Sequence, residues 1–152
     1  MKSLSLFLTL CGLLAITTFS CYKRDNLSIA TTTDSTLMKS KWMLTAFQDT
    51  KTNQMTNYPE NIPQEFITVN DSLIFVNGIC NCGACKYTIK DESIVINPSL
   101  GWTKIDCINM EQWETNFFNN IENAFQYKIT ESNNLVLYSH GSYNLFFVAS
   151  SN

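Results

Sequence analysis

The chain has 152 residues, a formal net charge of −3, and 45% hydrophobic and 12% aromatic side chains, which suffices for one domain with an ordinary core. Basic residues are scattered, Lys23-Arg24 being the only adjacent pair, so no stripe tracks a phosphate backbone and nucleic acid is excluded as a partner class. Charged residues make up 15%, below the usual quarter, and the Asn, Thr and Ser that replace them favour turns and strands over long solvated helices.

Met1-Lys2 precedes an uncharged apolar run from Leu4 to Phe19 that ends in Ser20-Cys21. The run is too short to span a bilayer comfortably and reads as a secretory signal over 1–20. Thr18-Phe19-Ser20-Cys21 resembles the bacterial lipoprotein cleavage box, with Thr18 standing where Leu is usual. The resemblance implies lipidation of Cys21, so that the membrane becomes a partner through that anchor, and a place in the bacterial cell envelope, at the outer membrane. Cys11 then belongs to the discarded leader. Residues 21–40 are polar, rich in Ser and Thr, and lack alternating apolar positions, which predicts a flexible tether.

The domain proper is expected over 41–152. Lys41 to Gln48 alternates as a strand covered on both faces, and Asp49 to Pro63 reads as a polar connection. Glu65 to Asn70 and Leu73 to Asn77 form a strand pair turned at Asn70-Asp71-Ser72, with Gly78 ending the second. Lys86 to Ile89 and Ser93 to Asn97 form another pair around Asp91-Glu92. From Met110 the period changes: Trp113, Phe117, Ile121 and Ala124 with Phe125 recur at helical spacing, which predicts one helix near 110–125 with an aromatic core face. Glu111 and Glu114 suit the positive end of its macrodipole. Gln126 to Thr130, Leu135 to Tyr138 and Leu145 to Val148 close the chain as strands. The fold class is mainly β with one helix (α+β), an antiparallel curled sheet or small barrel packed on that helix.

Cys80, Cys82 and Cys85 crowd into Gly78 to Tyr87, and Cys107 follows. An even number of cysteines in an exported chain reads first as disulfides, with three connectivities open. Cys82-Gly83-Ala84-Cys85 has the form of a redox dithiol, but a strand follows it in place of the helix N-terminus that lowers a thiol's pKa. Cys80, Cys82, Cys85 and Cys107, with His140 as a substitute, offer soft donors to zinc or copper(I), against which an oxidising envelope competes by pairing thiols. His140 lies in a turn beside Gly141, and the flanking Ser139 and Ser142 lack a nucleophile-elbow setting. Neither a catalytic residue nor a cofactor is expected.

The order of landmarks from Lys41 to Ser150 resembles the META/HslJ-like family of small bacterial envelope domains. Trp42-Met43-Leu44 is similar to its opening Trp-x-Leu strand, and Gly78, Cys80, Asn81 and Tyr87 to its Gly-x-Cys-Asn element with a following aromatic. Thr103 to Cys107 is similar to its Thr-x-x-x-Cys element, and Glu114, Phe117 and Ile121 to its helix. Leu135-Val136-Leu137 and Leu145-Phe146-Phe147 stand for its closing strands. Cys85 replaces a usual Gly, and Asp106 a small residue. The resemblance implies a lipocalin-like antiparallel sheet curled round a helix, and a role in binding a small apolar ligand or supporting another envelope protein. It also favours a Cys80–Cys107 bond, since these positions match the family's own cysteines, leaving Cys82–Cys85 as the second. In the chain-entropy model closing the longer loop contributes about 3.6 kcal/mol.

Overall fold

Alternation with a period of two decides which side chains of this chain face inward. The computed structural model describes residues 35–38, 40–97, 101–106 and 108–150. Over these run two helices, α1 (Ser35–Met38) and α2 (Glu111–Glu122), and nine strands. The strands are β1 (Lys41–Asp49), β2 (Met55–Asn57), β3 (Phe66–Val69), β4 (Leu73–Asn77), β5 (Cys82–Lys90), β6 (Ser93–Asn97), β7 (Ala124–Ile129), β8 (Asn134–Ser139) and β9 (Tyr143–Ser150). In β3 to β6 buried and outward residues alternate, as in Ile74 and Val76 or Ile94 and Ile96. That is the mark of a sheet with one face on a core.

All pairings are antiparallel, in the order β2-β1-β3-β4-β5-β6-β7-β8-β9, and β1 also pairs with β9. The result is an eight-stranded barrel to which β2 is added. β1 shares its second edge between two partners: Lys41 to Met43 face β3, and Ala46 to Gln48 face β2. A register shift between Leu44 and Ala46 turns both Ala46 and Phe47 inward, the re-aiming expected of a bulge. Asn53, Asp91 and Asn133 take positive φ in the β1–β2, β5–β6 and β7–β8 turns, a conformation Asn and Asp tolerate better than other side chains.

The interior is filled by the chain itself, with Trp42, Leu44, Phe47, Ile67, Ile74, Phe117, Leu135 and Phe147 all buried. α1 plugs the end where β1 begins: Leu37 is buried, and Trp42 Nε1 donates to its carbonyl at 2.8 Å. α2 lies across the opposite end and buries Glu114, Phe117, Phe118, Asn120 and Ile121. Among the described residues no helix is long and apolar enough to cross a membrane.

The fold class read from the sequence holds, with differences of detail. The stretch expected as a polar connection contains β2, whose three residues are all exposed and which exists through pairing with β1 rather than through burial. Ser35 to Met38, expected within the tether, is α1. The helix stops at Glu122, and Phe125 belongs to β7 on the outer surface, 38% exposed. β5 starts at Cys82, four residues before the expected strand, because Cys82 to Cys85 pair with Asn77 to Ile74 of β4. The signal, Cys21 and the rest of 1–34 lie outside the described residues, as does Cys107.

Candidate functional site

The elements that α2 brings together at its end of the barrel are held by a carboxyl on its first turn. Glu114 Oε1 accepts from the backbone N–H of Cys80 at 2.9 Å and of Asn81 at 2.7 Å, and Oε2 accepts from Asn81 Nδ2 at 2.6 Å. Asn81 then reaches the segment before α2. Its Nδ2 donates to the Ile105 carbonyl at 2.9 Å, and its Oδ1 accepts from Ile105 N at 2.7 Å and Thr103 Oγ1 at 3.0 Å. Thr103 Oγ1 in turn accepts from Cys82 N at 2.9 Å.

Glycine is required twice by this arrangement. A Cβ at Gly78 would stand 2.5 Å from Glu114 Oε1 and 2.8 Å from the Phe118 ring, and one at Gly83 would stand 1.8 Å from the Trp102 ring. Trp102 bridges to Gly83, packs on Phe118 with centroids 4.6 Å apart, and donates its indole N–H to Glu122. Further along α2, Asn120 Oδ1 accepts from Tyr143 N at 2.9 Å. The helix is thus pinned to the β4–β5 loop, to the 101–106 segment and to the start of β9.

Cys85 is a buried free thiol. The expected Cys82–Cys85 bond is therefore corrected. Both residues lie in one extended strand, three positions apart, so their side chains leave opposite faces, with Cys85 in the core. The same placement removes Cys85 from the expected redox dithiol and metal sets. Burial, and secondarily Glu122, push its thiol up to about 12, the reverse of what a thiolate nucleophile or soft ligand needs. His140 stands apart in the β8–β9 turn, stacked on Phe125 with centroids 4.2 Å apart.

Sequence reasoning missed the most unusual group. Glu65 is fully buried, and neither of its carboxyl oxygens has a hydrogen-bond partner among the described residues. The alternation through Glu65, Ile67 and Val69 was the available signal, because it places an acid on the inner face. Burial raises its pKa to about 9, with the nearby Glu114 adding to the rise, so at neutral pH it keeps its proton. Tyr58, whose hydroxyl donates to the Pro63 carbonyl at 2.5 Å, has its phenol pushed up by burial and then by Glu65.

Between α2 and strands β1, β2 and β9 lies an open cleft of about 140 Å³ lined by Phe47, Thr56, Gln112, Trp113, Asn116 and Tyr143. Its rings brace one another: Phe47 meets Trp113 at 5.5 Å and Tyr143 at 5.7 Å, and Tyr58 stands behind Trp113 at 6.3 Å. Trp113 came from the helical stripe, but Phe47 joins it through the β1 bulge and Thr56 through β2, neither of which the pattern announced.

A helix laid across one end of an eight-stranded antiparallel barrel, pinned by a Glu to a Gly-x-Cys-Asn loop, defines a small closed β domain. The META domain model matches residues 35–152, and the chain belongs to that family. No curated protein matches it. Among solved structures, the NMR structure of a protein from Burkholderia xenovorans is similar, with a TM-score of 0.61 at 19% identity, covering 86% of this chain and 100% of that one. That likeness concerns the fold.

Proposed function

We propose that this is a lipid-anchored protein of the bacterial cell envelope that acts by binding or by supporting another envelope component, its reactive groups serving the fold rather than turnover. The observation that carries the reading is the Glu114 network. The acid best placed to do chemistry at the helix-capped end is occupied by two backbone N–H groups and the Asn81 amide. Glu65 and Cys85 are buried, with pKa values of about 9 and about 12, so neither supplies a base or a nucleophile at neutral pH.

A Cys80–Cys107 bond belongs to the same proposal. Asn81 holds Thr103 and Ile105 beside the cysteine loop, which draws the chain leading to Cys107 toward Cys80. Metabolic labelling with a fatty-acid analogue in a bacterial host, followed by membrane fractionation, tests the anchor. Label and membrane recovery lost in Cys21→Ala support it, and an unlabelled soluble wild type overturns it. Peptide mapping without reduction tests the pairing, which a Cys82–Cys107 or Cys80–Cys82 bond would overturn.

A further inference from the structure

We propose that the cleft between α2 and the β1–β9 side of the barrel binds a neutral sugar ring. This names the ligand class within the binding role proposed above and rests on that reading. The cleft's partly exposed aromatic walls are Trp113 and Tyr143, and both rings pack on the buried Phe47, which holds them in place before any ligand arrives. Such faces suit the C–H side of a pyranose, with little ordering cost on binding.

The polar groups on the rim separate this cleft from an ordinary surface dent. Elsewhere at this end the fold uses its amides: Asn81, Asn120, Asn144 and Gln64 all make side-chain hydrogen bonds. Gln112 and Asn116 make none with their side chains among the described residues, nor do the Thr56 and Tyr143 hydroxyls or the Trp113 indole N–H. Gln112 and Asn116 are one helical turn apart and so share a face of α2, with Trp113 beside them. An amide presents both donors and an acceptor, which matches paired hydroxyls that must each give and take a hydrogen bond. No charged side chain lines the cleft, so neither an anion nor a cation is selected. The unused amides set it apart from a pocket for a purely apolar molecule. Its volume of about 140 Å³ is on the scale of one ring, and its open side leaves room for a chain of sugars to continue into solvent.

The three tryptophans make the test internally controlled. Trp42 and Trp102 have bonded indoles, to Leu37 at the far end and to Glu122, whereas Trp113 faces the cleft. Purified protein labelled with ¹⁵N is titrated with an N-acetylglucosamine tetramer and, separately, with a glucose tetramer, with a tyrosine-containing peptide as comparison. A saturable shift of the Trp113 indole with either saccharide is expected, with Kd on the order of 1 mM for a single-ring contact, while the Trp42 indole stays fixed. Gln112→Ala with Asn116→Ala removes side chains the fold does not use, so the spectrum stays folded and affinity falls at least about tenfold, the loss expected for two unmade hydrogen bonds. Four outcomes overturn the proposal: no shift with either saccharide, shifts away from the cleft, affinity unchanged in the double variant, or the peptide as the sole binder. Envelope localisation with a silent cleft would remove the sugar and leave the proposed function standing.

Discussion

At the end of the barrel where β1 begins, the buried Leu37 covers the core and the Trp42 indole N–H donates to its carbonyl. At the other end α2 closes the barrel with polar groups that sequence separation would never pair by chance. Glu114 grips the cysteine loop, Asn120 the start of β9, and Glu65, whose carboxyl has no hydrogen-bond partner among the described residues, sits fully buried. Apolar closure maximises burial and specifies little else. Polar closure fixes position, since each donor and acceptor must be met in one geometry, and the rigid frame it creates is where the aromatic cleft lies.

The largest way to break the comparison is at the apolar end. Trp42→Ala empties a fully buried indole site and releases the α1 carbonyl bond, so urea denaturation should show a loss of about 3–5 kcal/mol. Glu114→Ala strikes the polar end and leaves three donors without their acceptor, for about 2–3 kcal/mol. Hydrogen exchange should then quicken at the Cys80 and Asn81 amides, while the α1 end keeps its protection. If the two variants lose protection over the same residues, the ends are not independent.

Glu65 sharpens the contrast through pH. Its pKa rises from 4.5 to about 9 on folding, so the folded state binds this proton more tightly than the unfolded one. The stability due to this group is complete below 4.5 and is lost as pH rises toward 9, by at most about 1.4 kcal/mol per pH unit. Urea midpoints from pH 5 to 8.5 should fall in the wild type and flatten in Glu65→Leu, which also removes two unpaired buried oxygens. A wild type flat over that window would refute the inward, protonated carboxyl. The smallest effect is at Cys85. Cys85→Ala should cost about 1 kcal/mol, as removal of a small buried group, and mass spectrometry should find the native thiol unalkylated at pH 8 until the protein is unfolded.

How far the sequence could be read depended on whether position was set locally. β4 and β6 were legible to the residue, because Ile74 and Val76, and Ile94 and Ile96, alternate between clean turn signals. β2 was not legible, since Met55 to Asn57 bury nothing and their strand is conferred by β1. The cysteine stretch was legible as a cluster with a strand expected only from Lys86: Gly78 to Asn81 turn, but Cys82 onward is already strand, and its alternation sends Cys85 into the core. Asn81 was visible only as part of a resemblance, whereas its work, joining Glu114 to Ile105, spans pairings that no local pattern encodes. Glu114 was read as a macrodipole acid, and its hydrogen bonds to the loop outweigh that contribution of tenths of a kcal/mol.

The pairing of β1 with β9 carries a consequence for the order of assembly. The first described strand waits for the last, from Lys41 with Ser150 to Asp49 with Tyr143, so during synthesis β1 has one edge whose partner in the fold is made late. Closure of that kind is slow, because the entropy of the longest loop is lost before the contacts form. A ribosome-bound or partly threaded chain therefore holds an open sheet, and a truncation before Tyr143 exposes two raw edges at once, turning a closed barrel into a template for self-association.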